Sequence, residues 1–132
     1  MTRINCVPVE ELHDKHLLAE YRELPRVFTL AHNAIEKGSW ESPAKYALGT
    51  GHVKFFYNKL TYLAIRHIDL CNEMKRRKFK VNIKNIHEKW IVFLSSDYSK
   101  YKKLWNDWTP NENAIKLNRQ RINERLKQMR NK

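Results

Sequence analysis

A regular apolar stripe near the amino terminus is the feature that most constrains the fold. Its members are spaced by 4, 3, 4, 3 and 4 residues, the period of one face of an α-helix. They are Leu17, Tyr21, Leu24, Phe28, Ala31 and Ile35. Pro8 precedes the stripe and, as a favoured first helical residue, predicts where the first helix begins. Pro25 lies inside the stripe and, because proline removes a backbone donor and clashes with the preceding turn, predicts a bend near residues 21–26.

Two further stripes predict a second and a last helix. The second helix follows Gly51, and its apolar residues are Val53, Phe56, Leu60, Leu63, Leu70 and Met74. The last helix has a capping box, in which Thr109 is the N-cap, Pro110 the first helical residue and Glu112 the partner. Between them, residues 83–104 are compatible with a short helix or with buried extended chain, and we favour the helix.

Composition supports an all-α fold. Three glycines and four prolines are too few for the regularly spaced turns of a β-sandwich or barrel. A chain of 132 residues is enough for one domain with its own core. We therefore predict a single domain over residues 1–132, built from three main helices with a short helix around residues 85–104.

The charge of the chain favours a polyanionic partner. Lys and Arg number 26 against 14 Asp and Glu, a formal net charge of +12, which suits nucleic acid first and an anionic membrane surface second. A peripheral membrane role is disfavoured, because Lys116, Arg119 and Lys127 are spread around the last helix. Neither a membrane span nor a secretory signal is visible. The two cysteines predict free thiols in a reducing cytoplasm.

Charged residues on the first predicted helix form a second stripe, distinct from the apolar one. It carries His16, Glu20 and Glu23, with Arg22 and Arg26 beside it. Ion pairs between residues three or four apart are common on exposed helix faces, so a solvated salt-bridge face is one interpretation. The other is a carboxylate held among phosphate-binding arginines.

Three segments carry a distinctive combination of residues. Residues 2–28 begin with Thr-Arg-Ile-Asn and contain Ala-Glu-Tyr-Arg-Glu-Leu-Pro-Arg. Residues 51–60 read Gly-His-Val-Lys-Phe-Phe-Tyr-Asn-Lys-Leu, and Asp-Trp-Thr-Pro at 107–110 leads to Arg-Ile-Asn-Glu-Arg at 121–125. In this order, the segments resemble the pyrimidine-dimer DNA glycosylases, the family of the dimer-specific phage endonuclease V. Only residues 80–105 align poorly.

The resemblance implies a bifunctional glycosylase and abasic-site lyase whose nucleophile is the backbone amine of Thr2, exposed once Met1 is removed. An α-amino group has a pKa of about 7.7–8.0 against about 10.4 for lysine, so about a tenth or more is unprotonated at neutral pH. Nearby arginines should depress that pKa further. Glu23 is implied to stabilise the cationic sugar and assist proton transfer.

The resemblance also assigns DNA-binding residues. Arg3, Arg22 and Arg26 are implied to hold phosphates around the lesion, Arg121 and Arg125 to form a second basic strip, and His16 to lie on the DNA side or to serve a structural role. Two other residues are interpreted structurally: Glu20 as a structural carboxylate and His52 as a cap or packing residue.

The expected partner is double-stranded DNA carrying UV lesions or abasic sites, bound by a monomer that is cytoplasmic and DNA-associated. The reaction would cleave the glycosyl bond of the 5′ pyrimidine of a cyclobutane dimer and requires no metal or organic cofactor. The family's aromatic tail is not matched by Lys127–Lys132. A relative acting on abasic sites or other damaged bases therefore remains an alternative, as does a non-catalytic basic helical nucleic-acid-binding protein.

Overall fold

The computed structural model describes residues 3–38, 42–81 and 102–130, which form a helical domain. Its α-helices are α1 (Asp14–Glu23), α2 (Pro25–Lys37), α3 (His52–Phe55), α4 (Leu60–Arg76) and α5 (Glu112–Arg130). Short 3-10 turns cover Val9–Glu11 and Lys102–Leu104. The all-α prediction is confirmed, with no strand in the described ranges. The predicted helix around 85–104 falls largely outside them, and Thr2 does so entirely.

The first apolar stripe spans two helices joined at Leu24. Leu24 keeps right-handed helical angles (φ −55°, ψ −42°) and Pro25 is the first residue of α2, so the predicted interruption lies at the proline while the stripe continues into the core. The predicted start at Pro8 is wrong: α1 begins at Asp14, where Nδ1 of His13 accepts a hydrogen bond from the Lys15 N–H at 3.1 Å. Pro8 instead precedes a 3-10 turn.

The second stripe was predicted as one helix and is interrupted. A turn separates α3 from α4, because the N–H groups of Phe56 and Tyr57 bond to carbonyls three residues back. The Lys59 ammonium fixes this turn by donating to the Phe55 carbonyl and to Oδ1 of Asn58, each at 2.9 Å. The apolar period is kept across the turn, so the pattern alone did not reveal it.

The start of the last helix also differs from the prediction. The side chain of Asn111 accepts a hydrogen bond from the Ala114 N–H at 2.8 Å, which makes Asn111 the N-cap and Ala114 the third helical residue. Thr109 is exposed and lies outside the helix. An asparagine nearer the helix therefore replaces the predicted capping box.

A buried polar network ties the amino-terminal segment to three helices. Glu20 on α1 and Arg66 on α4 form an ion pair of 2.8 Å, with side chains 0% and 6% exposed. Nδ2 of Asn5 donates to Glu20 at 2.8 Å, and Nδ2 of Asn118 on α5 donates to Oδ1 of Asn5 at 2.8 Å. The predicted structural role of Glu20 is confirmed by these contacts.

The two cysteines and two of the tryptophans also contribute to the buried part of the domain. Cys6 and Cys71 are free thiols, as predicted, and both are buried, which raises the pKa of each thiol to about 11. Trp105 and Trp108 pack against the core. None of the helices within the described ranges is both long and apolar enough for a membrane span.

Candidate nucleic-acid interface

The chain before α1 is held in place residue by residue. The Ile4 N–H donates to Nε2 of His52 at 2.8 Å, and the Tyr46 hydroxyl donates to the Ile4 carbonyl at 3.2 Å. Two residues further on, the N–H groups of Cys6 and Val7 donate to Oδ1 of Asn118 at 2.8 and 3.2 Å. Because the Ile4 side chain is fully buried, the register of this segment is fixed by both packing and hydrogen bonds.

Arg3, immediately before this held segment, faces two arginines of α5. Burial lowers the pKa of its guanidinium, and the nearby charges of Arg121 and Arg125 lower it further. Nη1 of Arg3 and Nε of Arg121 are buried and have no hydrogen-bond partner among the described residues. These three arginines, which we call the arginine cluster, have one carboxylate partner among the described residues, Glu124, which lies 3.4 Å from Arg121, so the cluster keeps a net positive charge.

His16 lies at the edge of the arginine cluster. It is half-buried on α1, and its pKa is lowered first by burial and then by His13 and Arg125. Its Nδ1 atom is buried without a partner in the described ranges. Both effects favour a neutral ring that can accept or donate a hydrogen bond beside the cluster.

The two glutamates of α1 have different surroundings. The Glu20 carboxylate is occupied by Asn5 and Arg66 in the buried network described above. Glu23, three residues later on the same helix, is partly exposed, and its side chain has no hydrogen bond or ion pair to a described residue. Of the two carboxylates, only Glu23 is free to act on a bound molecule.

Arg22 and Arg26 lie on the outer surface at the α1–α2 junction. Arg22 is in the last turn of α1 and Arg26 in the first turn of α2, and both are exposed. No contact within the described ranges joins either of them to the arginine cluster. The structure therefore brings together Arg3, His16, Arg121 and Arg125 and leaves Arg22 and Arg26 as separate surface cations.

Guanidinium groups with unused donors are suited to phosphate, which they bind through charge-assisted hydrogen bonds. A sequence model of the pyrimidine dimer DNA glycosylase family matches residues 1–87, about two thirds of the chain. The chain belongs to this family. It is accordingly a DNA glycosylase directed at UV-damaged DNA.

The family match and the structure cover different parts of the interface. The matched residues of this glycosylase contain Arg3, His16 and Glu23 but end before α5, so the packing alone places Arg121 and Arg125 beside Arg3. Groups of three or more His, Cys, Asp or Glu side chains suited to a metal ion do not occur in the described part of the chain.

Sequence analysis did not predict the long-range hydrogen bonds of two residues that organise this site. His52 was interpreted as a helix cap or packing residue. Its side chain forms no cap, but its buried ring packs against Tyr46 and Phe56, and it also accepts a hydrogen bond from Ile4, which was not predicted. Asn118 lies within a polar stretch of α5 and received no role. Both act on backbone groups more than forty residues away, a relation that no local spacing can reveal.

Proposed function

We propose that this glycosylase is also an abasic-site lyase that uses the backbone amine of Thr2 as its nucleophile. Glu23 assists the reaction, and Arg3, His16, Arg22, Arg26, Arg121 and Arg125 bind the DNA. The substrate is duplex DNA carrying cyclobutane dimers, with preformed abasic sites as a second substrate.

The observation that carries the proposal is the net positive arginine cluster, in which Arg3 Nη1 and Arg121 Nε lack a hydrogen-bond partner among the described residues, next to the hydrogen-bonded amino-terminal segment. Arg3 is covalently bonded to Thr2, so the cluster and the proposed nucleophile are neighbours. Positive charges near an amine disfavour its protonated form, and the same charges bind the phosphates on either side of a damaged nucleotide. One group of arginines thus supports both DNA binding and amine activation.

The proposed reaction needs an amine, a carboxylate, DNA and water, and the water hydrolyses the final iminium and frees the amine. The amine lone pair bonds to C1′ of the 5′ nucleotide while the C1′–N bond to the base breaks and its electron pair leaves with the base, which is then protonated. The nitrogen loses a proton, and O4′ gains a proton as the C1′–O4′ bond breaks, which gives an iminium. Loss of a C2′ proton then expels the 3′ phosphate, and Glu23 stabilises the cation and moves these protons.

Reductive trapping tests the nucleophile directly. Borohydride should convert the iminium into a stable protein–DNA adduct with either an abasic or an irradiated duplex, and mass spectrometry should place it on residue 2 of protein lacking Met1. Protein that retains Met1 is the control and should give no adduct. A processed protein that forms no adduct contradicts the proposal and favours a non-catalytic DNA-binding protein. An adduct on a lysine would keep the lyase activity and overturn the role of Thr2.

Substitution of Glu23 tests the second catalytic group. Glu23→Gln removes the proton acceptor but keeps the shape of the side chain, so strand cleavage should fall by about 10²–10⁴-fold while the Kd for an abasic duplex changes less than about threefold. Glu36→Gln, at the exposed far end of α2, is the matched control and should retain cleavage. Parallel loss of cleavage and binding in Glu23→Gln would assign this residue to DNA binding instead.

A further inference from the structure

His52 contacts the amino-terminal segment through a single, directional hydrogen bond. Its ring is 1% exposed and lies at the start of α3. Nε2 accepts from the Ile4 N–H at 2.8 Å, and Nδ1 lies 2.7 Å from the Ala47 carbonyl. Because a carbonyl can only accept, Nδ1 carries the proton and Nε2 offers its lone pair to Ile4.

The surroundings of the ring keep it in this acceptor form. Burial lowers the pKa of His52, and the Arg3 guanidinium lowers it further, although the hydrogen bond to Ala47 opposes the change. The rings of Tyr46 and Phe56 enclose it edge-on at 5.5 and 5.7 Å. A neutral imidazole in a closed aromatic pocket is a rigid acceptor, since neither its protonation nor its rotation is favourable there.

The position of this hydrogen bond along the chain gives it a role beyond packing. Two residues separate the Ile4 nitrogen from that of Thr2, so chain geometry keeps these atoms within about 7 Å of each other. The Tyr46 hydroxyl holds the carbonyl of the same residue. His52 and Tyr46 therefore hydrogen-bond to both backbone polar groups of Ile4. Ile4 lies two residues after Thr2, which carries the proposed nucleophile.

We propose that His52 is a positioning residue for the reaction, whose Nε2 atom sets the place of the Thr2 amine by holding the Ile4 N–H, with the Tyr46 hydroxyl as its second support. This inference rests on the proposed function, in which that amine attacks C1′. A displacement of about 1 Å at a reacting group can cost about 10²-fold in rate, so loss of this hydrogen bond acts on the chemical step. DNA binding depends mainly on the cations and is affected much less.

A pair of amide substitutions separates positioning from packing. H52N keeps a donor near Nδ1, toward Ala47, and loses the acceptor for Ile4, whereas H52Q places an acceptor near Nε2 and loses the donor. Both remove the ring and disturb the pocket to a similar degree. The measurements are the single-turnover rate of borohydride trapping on a saturating abasic duplex, the Kd for that duplex and the midpoint of thermal unfolding.

The expected result is an unequal loss of rate in the two variants. H52N should lower the trapping rate by about 10–100-fold and H52Q by less than about fivefold, with Kd changed less than about threefold in both. Equal losses in the two variants, or a loss that follows the unfolding midpoint, would show a merely structural histidine and overturn the inference. Wild-type protein that gives no adduct on residue 2 would overturn the proposed function itself.

Tyr46→Phe provides an independent test if either histidine variant fails to fold. It removes only the hydroxyl that donates to Ile4 and keeps the ring in its aromatic contacts. The trapping rate should fall by about 3–10-fold with Kd unchanged within about twofold. Tyr57→Phe removes a hydroxyl from another buried tyrosine and is the matched control. Equal rates for Tyr46→Phe and Tyr57→Phe would contradict the role of this support.

Discussion

Glu20 and Glu23 lie on α1 one helical turn apart, but Glu20 is buried whereas Glu23 is partly exposed. The Glu20 carboxylate accepts hydrogen bonds from Asn5 and from two nitrogens of Arg66. A buried charge pair is costly to form, but it is far more costly to break, since one unpaired charge would then remain in the core. Glu20 thus contributes to the site by fixing Asn5, three residues from Thr2.

Removal of the Glu20 charge should destabilise the whole domain. Glu20→Gln leaves the Arg66 guanidinium buried and uncompensated, so the free energy of unfolding in urea should fall by about 3–5 kcal/mol. Glu124→Gln, which weakens an exposed pair with Arg121, should change it by less than about 0.5 kcal/mol. Similar values for the two variants would mean that Arg66 is solvated once Glu20 is neutral.

The end of α4 is connected to the start of the chain through Glu73. Its carboxylate accepts from Nε of Arg76 at 2.8 Å and from Nε of Arg77 at 2.7 Å. Arg77 also reaches Asp14 of α1 at 3.0 Å. Hydrogen bonds from Arg76 and then Arg77 lower the pKa of Glu73 to about 2, although burial opposes the change.

This connection should weaken in acid. A carboxyl group whose pKa is lower in the folded state contributes stability above its unfolded pKa of about 4.3, and that contribution is lost as the pH falls toward 2. The difference in unfolding free energy between wild type and Glu73→Gln should therefore be largest above about pH 5 and shrink toward pH 2. Urea unfolding at several pH values measures this difference, and a constant one would exclude Glu73 as a source of acid sensitivity.

Which elements could be predicted from the sequence depends on the range of the forces that form them. The stripe from Leu17 to Ile35 and the interruption at Pro25 are local and were predicted correctly. The turn before Lys59 was not, because the apolar period continues across it and a lysine side chain stabilises it. The α5 start was misplaced because two capping residues, Thr109 and Asn111, compete within three positions.

The candidate site was predicted only as far as single residues. Family resemblance supplied Arg3, His16, Arg121 and Arg125, and the structure then showed that they converge. The supports of the amino-terminal segment, His52 and Asn118, bind its backbone, and backbone groups leave no residue-specific signal at the other end of the contact. Tertiary packing, rather than any motif, determines such pairs.

Over the whole molecule, positive charge is concentrated toward the carboxyl end. From Lys100 onward there are ten Lys and Arg against three Asp and Glu, so seven of the twelve net charges lie there. Three of the six cations on α5 differ in their neighbours. Arg119 is paired with Glu11 at 2.8 Å. Arg121 and Arg125 lie beside Arg3, and Arg121 also contacts Glu124 of the same helix at 3.4 Å. Arg121 and Arg125 therefore add to the positive field at Arg3, whereas the charge of Arg119 is offset by Glu11.

The salt dependence of DNA binding should distinguish Arg119 from Arg121 and Arg125. Each phosphate contact releases condensed counterions, so removing one contact reduces the slope of log K against log salt by about 1. Arg121→Gln and Arg125→Gln should each do so on an undamaged duplex between about 50 and 200 mM salt, measured by fluorescence anisotropy. Arg119→Gln removes the same charge from the same helix. Because Arg119 bonds to both oxygens of Glu11, at 3.1 and 2.8 Å, whereas Arg121 has only a 3.4 Å contact with Glu124, the slope for Arg119→Gln should stay that of wild type. Equal slopes for all three variants would mean that binding responds to net charge alone, and that the position of the arginine cluster beside the amino terminus does not determine where the DNA lies.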